Sequence, residues 1–379
     1  MTLTVGFVFD DTLDVLDGVQ QHIVTLGREL ARRGHTVHYL VGQTEHSPMA
    51  NTHVMARNVM VPFNGNRMRI PLPADKRHIA DVLHDTHFDV LHVQAPYSPF
   101  MAARVIEAAD PSTAVVATYH IAPKNVLAAV GGQVLGAINA HSHRRIDEVV
   151  AVSSVAAQYA AQTARTYGSI IANPVDVHAM RELAANAPAA HEGHHIVFLG
   201  RFVERKGASL LLDAIEYAQR HDLWPADTHV TFAGKGPLLE DCQVRATGLS
   251  IPTRFLGFVE ESDKPALLAS ADVTVFPSTG GESFGIVLLE AIAAGAGVTL
   301  AGDNPGYRST LLGDEDALFS VGADHARDLA ERIAHALRDP QWAHQLRERQ
   351  EKLLERYDVH AVADQVERIY GRALAKRNR

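Results

Sequence analysis

Several residue types and patterns are scarce in this chain, and each scarcity excludes a class of protein. Cys242 is the one cysteine among 379 residues, which excludes an internal disulfide and fits a reducing cytoplasm. No apolar run approaches the roughly 20 residues that a bilayer-spanning helix needs. A basic leader with a long apolar core is also lacking, because residues 2–9 have the pattern of a strand. We therefore expect a cytoplasmic protein without a signal peptide or a spanning helix.

Positive charge is not in excess either. The formal net charge is −9, which argues against nonspecific binding of nucleic acid. The charge is uneven, however: residues 1–174 carry 13 Lys/Arg and 14 Asp/Glu, whereas the remainder carries 22 and 30. The first half of the chain is therefore the half that can more easily approach an anionic surface.

Apolar strand-like runs alternate with amphipathic helical stretches along the whole chain. A chain of this length exceeds one comfortable core, so two domains are expected. Strand–helix alternation predicts parallel, doubly wound sheets, and the pattern restarts after a polar patch at residues 186–195. We predict an α/β fold with a first domain at 1–174, a second at 175–356, a ligand between them, and a charged helix in the tail.

The most informative segment is Gly280–Gly295, which reads GGESFGIVLLEAIAAG. Its glycines open a tight turn, and an apolar run of good helix formers predicts a helix that begins near Phe284. Free backbone N–H groups and the positive dipole end at a helix start bind anions. Glu282 could accept hydrogen bonds from hydroxyls beside the anion, and Glu290 lies about 12 Å further along the helix. This spacing predicts a nucleotide-sugar; the alternative is a buried helix N-capped by Ser283.

A basic loop, GRFVERKG at residues 200–207, follows the first strand of the second half. Arg201 and Lys206 can converge on a diphosphate from a strand end, and Gly207 lets the next helix start close by. Basic residues after a strand are also common on solvated loops. Because the glutamate segment accompanies them, we predict that Arg201 and Lys206 bind phosphate.

Candidate residues in the first half also follow strands. His120 follows a buried strand, and the carboxyl end of a strand in a doubly wound sheet faces the ligand. Gly18 opens the first helix and would permit close approach of a phosphate to the backbone. Asp17 would repel a diphosphate unless it turns away or caps the helix. The other histidines show no spacing typical of a metal site.

Together these segments resemble retaining glycosyltransferases of the family 4 type with the GT-B architecture, and among them the bacterial phosphatidyl-myo-inositol mannosyltransferases. The resemblance runs in register over most of the chain. It implies two facing Rossmann-like domains and a C-terminal helix, 357–379, that crosses back to the first domain. It also implies transfer of mannose from GDP-mannose, with retention, to phosphatidyl-myo-inositol or a related lipid at the inner face of the cell membrane.

The resemblance assigns roles in the donor half. Glu282 would hold sugar hydroxyls, Glu290 would hold the ribose, and the departing diphosphate would itself take the acceptor proton, so neither a metal nor a cofactor is expected. A guanine edge would meet residues 259–264, for which an acidic loop before a helix is the structural alternative. The predicted catalytic residues are His120, Arg201, Lys206 and Glu282. The predicted donor-binding residues are Gly18, Val259, Glu261, Lys264, Ser283, Phe284, Gly285, Ile286 and Glu290.

The segment PFNGNRMR at 62–69 resembles the one that receives the inositol phosphate in the mannosyltransferases. Its amides would bind ring hydroxyls and its guanidinium the lipid phosphate, although taken alone Asn64-Gly65 is a plain turn. Basic residues at 67–77 predict weak, peripheral attachment to an anionic membrane. The chain departs from the family pattern at Asp17 and at Pro174, where glycine is usual. The predicted acceptor-binding residues are Gln20, Asn64, Asn66, Arg69 and Arg205.

Two alternatives remain open from the sequence. One is a retaining GT-B enzyme that uses UDP-glucose or UDP-GlcNAc on another lipid or small-molecule acceptor. The other is a Rossmann-type dehydrogenase or a non-catalytic nucleotide-binding protein. The first strand is not followed by G-x-G-x-x-G, which argues against a dehydrogenase. The full set of charged residues at 201, 206, 282 and 290 argues against a catalytically silent protein.

Overall fold

The computed structural model describes residues 2–63, 66–121, 133–185 and 192–377. The chain divides into two compact units. One contains the residues up to Pro174 together with those from Val359 onwards, and the other is Val175–Asp358. Each unit is built on a parallel sheet that is flanked by helices, so the predicted doubly wound α/β class is confirmed.

The sheet of the first unit has the strand order β3-β2-β1-β6-β7-β8-β9, and its neighbouring strands are parallel. The central strand β7 is buried along its whole length, as expected for a parallel sheet covered on both faces. An antiparallel hairpin, β4–β5, stands apart from this sheet and was not predicted. The strands are β1 (Thr4–Phe9), β2 (Thr36–Val41), β3 (Thr52–Val54), β4 (Asn58–Phe63), β5 (Asn66–Pro71), β6 (Val90–Gln94), β7 (Ala114–Tyr119), β8 (Glu148–Ala151) and β9 (Ser169–Ile170).

The sheet of the second unit has the order β12-β11-β10-β13-β14-β15 and is also parallel. In both sheets the chain order reverses at a central strand, and at such a point the carboxyl ends of neighbouring strands leave room for a ligand. The strands are β10 (His194–Leu199), β11 (Thr228–Ala233), β12 (Thr253–Gly257), β13 (Val273–Phe276), β14 (Val298–Gly302) and β15 (Leu318–Phe319).

Helices connect the strands throughout both units. None of the helices within the described ranges is both long enough and apolar enough to cross a membrane. They are Gly18–Arg32, Lys76–Thr86, Ala102–Ala108, Ala140–His143, Ser154–Ala164, Val177–Ala184, Ala208–His221, Leu239–Ala246, Lys264–Ala269, Ile286–Ala294, Pro305–Thr310, His325–Arg338, Pro340–Tyr357 and Val359–Arg377, together with residues 133–138 and the 3₁₀ turn Glu204–Lys206.

The C-terminal helix Val359–Arg377 belongs to the core of the first unit, which confirms the predicted return of the tail. Its apolar side chains, among them Val366 and Tyr370, pack in the same buried cluster as the strands β1 and β2. Arg33 fastens the helix from outside, because its guanidinium bonds the carboxylates of Asp364 and Glu367 at 2.6 and 2.5 Å. The first unit is therefore made from both ends of the chain.

Candidate functional site

Most of the residues predicted to bind the donor lie in the second unit, in which the loops after β10 and β13 meet. Gly207 has φ 70°, and a Cβ atom there would lie 2.0 Å from the carbonyl oxygen of Pro277, so only glycine allows this approach. The carbonyl oxygen of Arg205 accepts hydrogen bonds from Ser278 Oγ and from the backbone N–H of Thr279, both at 2.9 Å. These contacts hold the basic loop directly against the loop that carries Glu282.

Glu282 is the centre of this arrangement. Its Oε1 atom is 2.5 Å from Nη1 of Arg205, 2.8 Å from Nζ of Lys206 and 2.9 Å from Oγ of Ser278. The Glu282 side chain is 12% exposed, and the two cationic side chains are 25% and 20% exposed. Burial by itself would raise the pKa of Glu282, but the two cations and the hydrogen bonds outweigh burial and lower that pKa. Glu282 is therefore ionised and held in one position.

The helix Ile286–Ala294 begins two residues later than predicted. Gly285 at its N-cap has φ 111°, and a Cβ atom there would lie 2.4 Å from Cδ1 of Tyr307, so the turn is compressed against a buried ring. The side chain of Phe284 is buried against Tyr357, and its carbonyl oxygen accepts from Thr310. Phe284 is thus fixed before the helix, and Ile286 provides the first helical N–H.

The later start changes the predicted spacing. Glu290 is the fifth residue of the helix, so its Cα lies roughly 6 Å from that of Ile286 along the axis, at about 1.5 Å per residue. The separation of about 12 Å predicted for the two glutamates assumed a helix through the whole interval, whereas residues 282–285 are not helical and Gly285 has φ 111°. Glu290 is half-buried.

The remaining residues predicted to bind the donor lie on the loops near the ends of β10, β12 and β13. Arg201 is exposed at the end of β10, beside the buried ring of Phe202. Glu261 pairs with Lys264 on the loop after β12, and Val259 in the same loop is half-buried. Ser283, directly after Glu282, is also half-buried. Arg205, predicted on the acceptor side, is placed by the structure on Glu282.

Sequence reasoning missed two residues around this cluster, Ser278 and Tyr307, and the exposed ring of Phe258 on the loop after β12. Ser278 follows the end of β13, so the strand-end rule that selected His120 could have selected it. Tyr307 is buried under Gly285, and burial together with the charge of Glu282 raises its pKa well above the ordinary value. Phe258 is 56% exposed, and Nζ of Lys235 lies 5.3 Å from the centre of its ring, which no local pattern indicates.

In the first unit His120 lies at the end of β7 in a buried group of polar side chains. Its Nε2 atom is 2.7 Å from Oε1 of Gln94, and its ring meets that of His22 edge-on at 4.8 Å. His120 is 5% exposed and Gln94 is fully buried. Burial lowers the pKa of His120 well below its ordinary range, and His22 and His92 lower that pKa further. The imidazole of His120 is therefore neutral at physiological pH.

The first turn of the helix Gly18–Arg32 carries the predicted residues Gly18 and Gln20. Gly18 is exposed, and a Cβ atom there would meet nothing within 4 Å. Gln20 is buried, and its amide nitrogen donates to the carbonyl oxygen of Thr12 at 3.2 Å. Asp17 is the N-cap residue but makes no capping bond through its side chain.

The hairpin β4–β5 carries the other predicted acceptor residues. Asn66 opens β5, whereas Asn64 lies outside the described residues. Nη1 of Arg69 is 3.8 Å from Oδ1 of Asp11. Burial raises the pKa of Asp11, and Arg69 offsets only part of that effect. Arg69 therefore already faces a carboxylate from the β1 loop.

Comparison with known protein families agrees with this two-unit arrangement. Residues 16–179 match the model described as Glycosyltransferase Family 4, and residues 180–353 match the model described as Glycosyl transferases group 1. Among solved structures, sucrose-phosphate synthase from Thermosynechococcus elongatus superposes with a TM-score of 0.74 at 18% identity, covering 98% of this chain and 100% of that one. Anabaena Alr3699/HepE in complex with UDP superposes at 0.71 and 17% identity, with 97% and 100% covered. These neighbours show that the fold is GT-B.

Curated relatives align over nearly the whole chain. The phosphatidyl-myo-inositol mannosyltransferase of Mycolicibacterium smegmatis is 32% identical over 371 residues, which cover 97% of this chain and 93% of the relative. The enzyme of the same name from Mycobacterium tuberculosis is 32% identical over 376 residues, covering 97% and 96%. The chain is therefore a glycosyltransferase, and it belongs to the GT-B family that contains the bacterial phosphatidyl-myo-inositol mannosyltransferases.

Proposed function

We propose that this protein transfers a mannosyl residue, with retention, from GDP-mannose to phosphatidyl-myo-inositol or a related inositol lipid at the cytoplasmic face of the membrane. The observation that carries the proposal is the ionised Glu282, held by Arg205 and Lys206 at the carboxyl edge of the second sheet. The relatives named above support the choice of sugar and acceptor. A GDP-mannose-dependent phosphatidylinositol dimannoside mannosyltransferase of Mycobacterium tuberculosis, 33% identical over 144 residues, supports the choice of donor.

The chemistry follows from the charges of the donor half. The bond from sugar to diphosphate breaks with growing negative charge on the departing oxygen, and fixed cations stabilise that charge most in the transition state. Lys206 supplies such a cation at a position set by Glu282, and Arg201 is exposed earlier in the same loop after β10. Glu282 accepts hydrogen bonds from sugar hydroxyls. The departing diphosphate takes the proton of the acceptor hydroxyl, and no metal takes part in this step.

On the acceptor side, Arg69 binds the lipid phosphate after leaving Asp11. The separation of 3.8 Å marks an ion pair rather than a close hydrogen bond, and both side chains are about one-third exposed. The monoanionic phosphodiester of the lipid can therefore compete for the guanidinium. Lys76 and Arg77, exposed at the start of the helix Lys76–Thr86, add positive charge for reversible docking on anionic lipid.

The decisive experiment supplies the purified protein with vesicles that contain phosphatidylinositol and with GDP-mannose, UDP-glucose or UDP-GlcNAc in separate reactions. Mass spectrometry of the lipid should show one added hexose with GDP-mannose alone. The Lys206→Ala variant should lose turnover by 100-fold or more if the lysine is worth about 3 kcal/mol in the transition state. Product with a UDP-sugar, or with GDP-mannose but no inositol lipid consumed, would replace the proposed donor or acceptor respectively.

A further inference from the structure

The buried group around His120 fixes more than the position of the ring. Gln94 ends β6, and His120 directly follows β7, its parallel neighbour, in which Thr118 is the register partner of Gln94. The two side chains meet at 2.7 Å inside the unit, where Gln94 is fully buried and His120 keeps 5% of its surface exposed. A hydrogen bond in such a place controls which of the two ring nitrogens carries the proton of a neutral imidazole.

The orientation of the Gln94 amide decides the direction of this bond. Its Nε2 atom faces the carbonyl oxygen of His92 at 3.5 Å, which leaves Oε1 directed at His120. An amide oxygen only accepts hydrogen bonds, so Nε2 of His120 must donate. The proton of the neutral ring is thereby placed on Nε2, and Nδ1 retains its lone pair.

We propose that Gln94 is a positioning residue that holds His120 as the Nε2–H tautomer, so that Nδ1 accepts a hydrogen bond from a hydroxyl group of the bound donor sugar or acceptor. This inference rests on the proposed function and on the prediction from the sequence that His120 lies where a substrate binds. An imidazolium in this place would have two donors and no acceptor, and it would lose the contact.

The surroundings of His120 keep it from becoming an imidazolium. The titratable groups that face it within the described residues are two further imidazoles, His22 from the first helix and His92 from β6. Burial lowers the pKa of His22 to about 4, and a side-chain hydrogen bond with Asn173 offsets only part of that effect. His92 instead bonds the hydroxyls of Tyr370 and Thr118 at 2.8 and 2.7 Å. None of these neighbours offers a carboxylate that would stabilise a charged His120.

The first test measures the tautomer and needs no substrate. Nitrogen-15 NMR of histidine-labelled full-length protein, with the His120 signal assigned by its loss in His120→Asn, should show a protonated Nε2 and an unprotonated Nδ1. Gln94→Leu should shift both signals toward exchange-averaged values. Tyr370→Phe is the matched control, because it removes a buried bond to His92 and should leave the His120 signals in place. A protonated Nδ1 in the wild type overturns the inference whatever the reaction is.

The second test measures turnover as a function of pH. Gln94→Leu should lower kcat/KM by about five- to tenfold, the loss expected for one hydrogen bond of about 1 kcal/mol. Gln94→Glu keeps size and acceptor oxygen but stabilises an imidazolium, so its rate should fall as pH drops through the neutral range and recover at alkaline pH. The pH profiles of the wild type and of Tyr370→Phe should not show this fall in rate.

The kinetic constants then identify the hydroxyl. A rise of the donor KM in Gln94→Leu identifies a donor-sugar hydroxyl, and a rise of the acceptor KM identifies an acceptor hydroxyl; both outcomes support the inference. Equal kinetics and pH profiles in the wild type and both Gln94 variants overturn it while leaving the proposed function intact. Absence of any product from the wild type overturns the proposed function, and the NMR result still decides the tautomer.

Discussion

Neutralising Glu282 should separate donor binding from turnover. In the structure Glu282 compensates two cations at once, since Arg205 and Lys206 both approach the same oxygen within 2.8 Å. The variant Glu282→Gln keeps the shape of the side chain but releases one unit of positive charge toward the ligand. If Lys206 faces the diphosphate as proposed, GDP should bind to this variant at least as tightly as to the wild type, whereas mannosyl transfer should fall.

The expected changes in GDP affinity, in kcat/KM and in stability can each be given a magnitude. Two unit charges 4 Å apart interact by about 1 kcal/mol in water, so the released cation should tighten GDP binding by up to roughly fivefold. A hydrogen bond from a sugar hydroxyl to an ionised group contributes about 1.5–3 kcal/mol, so kcat/KM should fall by about 10- to 150-fold. Removing one partner of a fully buried ion pair lowers the free energy of unfolding by about 3–5 kcal/mol. For Glu282→Gln we expect a smaller loss of about 1–3 kcal/mol, because both cations are partly exposed.

Three measurements test this reasoning. Calorimetry gives the affinity for GDP, a transfer assay gives kcat/KM, and thermal unfolding gives the stability of the variant. Glu216→Gln is the matched control, because Glu216 bonds Arg245 at 2.7 Å in the same unit and should affect stability without affecting GDP or turnover. GDP binding weakened by tenfold or more in Glu282→Gln, with the fold intact, would refute the proposed arrangement of charges.

Three further predictions concern stability and acceptor use. The pKa of Glu29 is about 2 in the folded protein against an ordinary value of 4.5, so the ionised Glu29 stabilises the fold fully above about pH 4.5. In urea unfolding at pH 7, Glu29→Gln should therefore lower the free energy of unfolding by about 1–3 kcal/mol. This difference between the wild type and the variant should shrink as the pH falls from 4.5 toward 2. Asp11→Asn frees Arg69 and should lower the acceptor KM for phosphatidylinositol vesicles without changing GDP affinity, and an unchanged acceptor KM would remove Arg69 from the acceptor site. Gly285→Ala should lower the free energy of unfolding by more than about 2 kcal/mol, because the new Cβ atom adds backbone strain and clashes with the ring of Tyr307. Gly295→Ala is the matched control: φ is 86° there but the space is open, so the free energy of unfolding should fall by only about 1–2 kcal/mol.

The alternation of strands and helices was readable from the sequence because it depends on local composition. A fully buried parallel strand needs an unbroken run of β-branched and apolar residues, such as Ala114–Tyr119, and that run is visible without knowing its neighbours. The short strands Thr52–Val54 and Ser169–Ile170 were missed, since two or three residues carry no periodic signal. The hairpin β4–β5 was also missed, because residues 62–69 were interpreted as a segment that receives the acceptor rather than as paired strands.

From local pattern alone, Glu282, Lys206 and His120 could be chosen as candidate site residues, because they stand beside glycines and strand ends whose local consequences are fixed. Which residues contact one another depends on the tertiary structure. Arg205 lies 77 residues from Glu282 along the chain, and Gln94 lies 26 residues from His120. These pairs form because parallel strands bring distant carboxyl ends to one edge of a sheet, and the order of strands in that sheet is set by packing over the whole unit rather than by any local segment.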